Sequence, residues 1–131
     1  MIKRTLLQDK YPIYTLELHK NEANYNSVDD ILTHFKTMIE GNPAIKFIGI
    51  FDHYAHTAQI PDSFINPDIR DAKIILFCFG NEIRDTGFLA VRPRSIGVAE
   101  LEKSFIITFL EAPSPKANST MVTWTMALKT S

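Results

Sequence analysis

Asp52, His53 and His56 fall within five positions, in the run Asp52-His53-Tyr54-Ala55-His56 that follows the apolar stretch Lys46 to Phe51. Imidazoles three apart on a helical turn face one side, and a neutral ring nitrogen serves near neutral pH as a general base or a metal ligand. For base chemistry His53 needs an orienting carboxylate, and Asp52 and Glu82 are the candidates. A zinc site needs three or four protein ligands, and His19, His34, Cys78 and Glu82 lie on separate segments, so no metal is expected. The expected arrangement is His53 bordering a pocket and His56 exposed.

A second group follows the Gly80-Asn81 turn, where Arg84, Arg92 and Arg94 fall within eleven positions. Guanidinium forks suit a carboxylate or phosphate, so Arg92 and Arg94 are candidates to hold a small anion. The alternative is a solvated connector whose arginines pair with Glu82 or Asp85. Cys78 stands between Phe77 and Phe79 in an apolar run and reads as a small buried hydrophobe, not a nucleophile. There is no Gly-x-Ser-x-Gly elbow, and the five glycines are scattered singly, without a phosphate loop. The candidate ligand-binding residues are therefore Asp52, His53, His56, Arg92 and Arg94, with no catalytic residue assigned and no cofactor expected.

The local patterns define the elements that must position these groups. Ile13 to Lys20 alternates as a half-buried strand does. From about Ser27 to Glu40 the apolar residues Val28, Ile31, Leu32, Phe35, Met38 and Ile39 recur at helical spacing. Ser27 with Asp30 reads as an acidic capping box, and Gly41 suits a left-handed cap. Lys46 to Phe51 reads as a buried strand, and Asp52 to Ala58 as a single helical turn. The turn-rich segment Gln59 to Asp71 reads as an exposed connector. Lys73 to Phe79 is the most hydrophobic stretch and is expected at the centre of the sheet. A helical turn is expected within Glu82 to Phe88 and an extended connector from Val91 to Ser95. Ile96 to Leu101 and Phe105 to Leu110 then form an antiparallel hairpin. The C-terminal segment alternates like a strand, yet Ser114-Pro115 and the shared face of Met121, Trp124, Thr125 and Leu128 favour a helix. Trp124, Met121 and Met126 fit either a core or a subunit contact.

These elements make an α+β domain spanning 1–131: a mainly antiparallel sheet of about five strands, with two helices packed on one face. Its expected core is Phe47, Ile48, Ile50, Ile74, Leu76, Phe77, Phe79, Ile106 and Phe109, together with Ile31, Phe35 and Met38 of the first helix. With 131 residues, 45% hydrophobic, the chain is long enough to bury a core without disulfides, and its single cysteine precludes an internal one. A net charge of −1 and a pI near 6.4 argue against a nucleic-acid partner. The start carries no signal-peptide pattern, and no apolar run approaches the roughly 20 residues that span a bilayer. The expected location is the cytoplasm, with no membrane partner.

The stretch Phe47 to Ala58, then Ile74 to Asn81, then Val91 to Leu101 ahead of a hairpin, resembles the small bacterial family called domain of unknown function 302. His53 with Ala55 and Ala58, the turn Phe79-Gly80-Asn81, and Pro93 fall at positions matching that family's motifs. Glu82 stands where the family has a proline, and Gln59 to Asp71 is longer than its counterpart. The resemblance runs from Ile13 onward and implies a compact α+β fold, a homodimer and no assigned chemistry. The resulting expectation is a homodimeric domain that binds a small molecule in a pocket near His53. The alternatives are a small enzyme with His53 as general base, or a structural or interaction module.

Overall fold

The computed structural model describes residues 1–129. Strands β1 (Lys3–Leu7) and β2 (Tyr11–His19) lead into helix α1 (Val28–Glu40). Strand β3 (Ile45–Phe51), helix α2 (His53–Ala58) and strand β4 (Asp71–Phe79) follow. The hairpin β5 (Arg94–Glu100) and β6 (Ser104–Leu110) precedes helix α3 (Pro115–Met126). Short 3₁₀ turns occupy Lys20–Glu22, Thr86–Val91 and Ala127–Lys129. All pairings are antiparallel, in one six-stranded sheet of order β1-β2-β6-β5-β4-β3.

The α+β class and the antiparallel sheet follow the sequence reading, and α3 settles the C-terminal segment as helix. Start signals work as their chemistry dictates. Ser27 Oγ accepts the Asp30 N–H at 3.1 Å, while Asp30 reaches back to the Asn26 N–H at 3.0 Å. Ser114 Oγ caps α3 on the Ala117 N–H at 3.3 Å, with Pro115 in its first turn. Gly41 closes α1 in right-handed geometry, φ −75° and ψ −7°, not in the left-handed cap that its type suggested.

Strand period decides the core. Leu16 and Leu18, Phe105, Ile107 and Phe109, Ile96 and Val98, and Ile75 and Phe77 point to one face and are buried beneath α1 and α3. Val28, Ile31, Leu32, Phe35 and Ile39 supply the stripe of α1, and Met121, Trp124 and Leu128 come from the C-terminal end. Trp124 packs within its own chain, edge-on to Phe77 with centroids 5.5 Å apart and stacked on Phe79 at 6.0 Å. It is a core residue. His34 ties the two helices together, its Nε2 lying 2.9 Å from the Trp124 carbonyl oxygen.

The sheet has six strands, in keeping with the about five expected, β1 being the addition, while its order and the placing of several apolar residues correct the sequence reading. Its central strands are β5 and β6, whereas β4 is second from the edge and β3 is the edge itself. On this edge strand Ile45 and Phe47 turn inward while Ile48 and Ile50 take the outward phase, 51% and 46% exposed, and the pairing with β4 shifts register between Phe47 and Gly49. Ile74, Leu76 and Ile106 occupy the opposite phase from Ile75, Phe77 and Ile107, so they are only half-buried, on the face away from the core. The connector also differs in detail: Val91 ends a 3₁₀ turn and Arg94 opens β5.

Candidate functional site

The β3–β4 pair carries a polar group at each end. At the start of β4, α2 turns the chain away from Phe51, which pairs with Ile74. Asp52 Oδ1 accepts the Ala55 N–H at 2.9 Å as the α2 cap, and its Oδ2 lies 3.8 Å from Lys73 Nζ. Lys73 is held chiefly by Asp29 at 2.8 Å, and that hydrogen bond raises its pKa above the ordinary lysine value. His53 Nδ1 meets Thr57 Oγ1 at 2.8 Å, one helical turn on. The His53 and His56 rings share one side, 6.4 Å apart, with Phe51 5.2 and 5.5 Å from them. Asp52, His53 and His56 are all exposed. Asp52 makes no hydrogen bond to His53, so the orienting pair that base catalysis needs is not formed. Among the described residues no group of three or more His, Cys, Asp or Glu side chains is placed to hold a metal ion.

At the other end of β4, a cavity of about 560 Å³ opens between the β4–β5 connection, the turn before β3 and the start of α3. Its apolar wall includes Ile45, Phe79, Phe88, Val91, Ala112 and Ala117. Its charged lining is Arg92, Arg94, Lys116 and Glu82. His53 is not part of it, and Glu82, the other carboxylate proposed to orient His53, belongs here.

Among the described residues, the cations in this lining have no acidic partner within ion-pair distance. Arg94 donates through Nη1 to the Val91 carbonyl at 3.2 Å, and through Nη2 to those of Leu110 and Glu111 at 2.8 and 3.1 Å. Its Nε is buried without a partner, and burial pulls its pKa below the ordinary arginine value. Arg92 donates to the Glu82 carbonyl oxygen at 2.7 Å and lies over the Phe88 ring at 5.3 Å. The neighbouring carboxylates are engaged elsewhere: Glu82 with Arg84 at 3.0 Å, and Glu111 with Arg4 at 3.0 Å and the Tyr14 hydroxyl at 3.1 Å. Ion pairing, the bland alternative for the arginine group, holds for Arg84 and not for Arg92 or Arg94.

The five candidate residues thus separate, with Asp52, His53 and His56 on α2 and Arg92 and Arg94 in the cavity. Lys116 and Phe88 escaped the sequence reading. The signal for Lys116 was the α3 start, Ser114-Pro115-Lys116, which carries no acid in its first turn, unlike α1 with Asp29 and Asp30; Phe88, in the 3₁₀ turn Thr86–Val91, had none. Cys78 is half-buried, its thiol directed to the Phe79 carbonyl oxygen at 3.7 Å.

Residues 2–130 match the model of a family described as a family of unknown function, DUF6858. This corrects the resemblance to domain of unknown function 302, whose short motifs around His53, Phe79-Gly80-Asn81 and Pro93 do not mark membership. Neither the curated proteins nor the solved structures include a match to the chain.

Proposed function

Since the chain belongs to the DUF6858 family, whose function is unknown, we propose from its geometry that it is a binding domain for a small molecule, held in the cavity at the end of β4. The observation that carries this reading is the cavity itself. About 560 Å³, walled by Phe79, Phe88 and Val91 with a few convergent polar groups, is within the size range of small-molecule sites. The exposed His53, bonded to Thr57 and unsupported by Asp52, favours binding over base catalysis. The test is a thermal-shift screen of metabolites on wild type, Phe79→Ala and His53→Gln. Stabilisation kept by His53→Gln and lost in Phe79→Ala supports the cavity, and the reverse pattern returns the site to α2.

The same domain is proposed to work as a homodimer through the sheet face that α1 and α3 leave open. The centre of that face holds Ile74, Leu76, Ser95, Gly97, Ala99, Ile106 and Thr108. None is charged, so a two-fold contact, which sets like beside like, meets no repulsion there. Sedimentation giving a dimer that Leu76→Glu converts to monomer supports this; a wild-type monomer at tens of micromolar refutes it, since a standard-size interface persists there.

A further inference from the structure

We propose that the cavity selects an amphipathic monoanion, a carboxylate on an aromatic or branched aliphatic body, with the carboxylate among Arg92, Arg94 and Lys116 and the body against Phe79 and Phe88. This rests on the reading of the cavity as a small-molecule site and specifies what it takes.

The lining carries three cations and one carboxylate, and that carboxylate, Glu82, is paired with Arg84. Two of the cations are half-buried, where water screens their charge less. Arg94 is fixed by three carbonyl oxygens, which orient a guanidinium without neutralising it. Glu111 meets Arg94 only through its backbone oxygen, which accepts from Nη2, because its carboxylate is turned to Arg4 and Tyr14. A partly desolvated cation without a counter-charge is costly, and a bound carboxylate offsets that cost.

Phe88 lies beneath Arg92 at 5.3 Å, so a guanidinium and an aromatic face stand together at one edge of the lining. Phe79 is backed by its stack on Trp124 at 6.0 Å and 11°, which holds that ring in place. The cavity therefore offers a fixed apolar surface beside charged groups. Inorganic phosphate satisfies only the second part and a neutral hydrocarbon only the first.

The experiment is isothermal titration of the full chain with phenylacetate and 4-methylpentanoate, their neutral amides and inorganic phosphate. The variants are Phe79→Ala and the double substitution Arg92→Gln with Lys116→Gln, which leaves the Arg94 contacts intact. The expected result is saturable binding of the carboxylates, about tenfold tighter than that of the amides, as charge-assisted hydrogen bonds imply. The double variant should lose about tenfold for the carboxylates and little for the amides. Equal binding of acids and amides overturns the anion proposal while sparing the cavity as a small-molecule site. Phosphate binding as tight as phenylacetate, with Phe79→Ala unchanged, overturns the amphipathic part. Absence of saturable binding by every probe overturns the proposal and the reading of the cavity together.

Discussion

The two ends of the β3–β4 pair show how similar residue types acquire different roles. At the α2 end three polar groups have local duties: Asp52 caps the helix, His53 bonds Thr57, and Lys73 is held by Asp29. At the cavity end, Arg92 and Arg94 are held by backbone carbonyls and keep their charge unspent. A polar cluster in sequence is thus poor evidence of a site until its partners are known. What distinguishes the cavity is that the nearby carboxylates of Glu82 and Glu111 are paired with Arg84 and Arg4, which lie outside its lining.

The largest effect expected from perturbing this contrast is on stability at the cavity end. Arg94→Ala removes the guanidinium that joins the start of β5 to Val91, Leu110 and Glu111. A loss of about 2–4 kcal/mol in urea denaturation is expected, because hydrogen bonds to charged groups contribute about 1.5–3 kcal/mol each and are not additive. Asp52→Ala at the other end removes one helix cap and should cost about 1 kcal/mol in the same measurement. His53→Gln removes an exposed contact and should stay within about 0.5 kcal/mol. If His53→Gln costs more than Arg94→Ala, the assignment of roles is reversed.

Acid provides a finer test. Hydrogen bonding to Arg4 holds the Glu111 carboxyl below its ordinary value of 4.5. A depressed carboxylate stabilises the fold above its unfolded pKa, and that contribution is lost as pH falls through the lower folded value. Glu111→Gln should therefore be less stable than wild type at neutral pH, with the difference closing below about pH 4 as the wild-type carboxyl titrates. Because this carboxylate faces Arg4, the substitution should leave phenylacetate affinity unchanged. Tighter binding in Glu111→Gln would mean that Glu111 partly neutralises Arg94.

How much of this was legible in the sequence depended on how local the cause is. The stripe of α1 and its Ser27 cap are local, and both are found where the spacing puts them. Strand β1 is not legible, because Lys3–Leu7 is exposed throughout and its turn to β2 uses Gln8 and Asp9 at positive φ, without the usual glycine or asparagine. The central place expected for Lys73 to Phe79 went to β5 and β6, since strand order depends on pairing, not on hydrophobicity. The separation of His53 from Arg94 was equally hidden, because it is set by the length of β4 between α2 and the cavity. Only the engagement of Glu82 and Glu111 with Arg84 and Arg4 reveals which arginines remain without acids.

Backbone amide mapping by NMR with phenylacetate tests the central claim most directly, because one titration reports on both ends of the β3–β4 pair. The account predicts saturating shifts at Gly80, Asn81, Lys116 and Thr120, which line the cavity, with Ala55, Thr57 and Ala58 of α2 unmoved. Saturating shifts centred on α2, with the cavity amides unmoved, would contradict it.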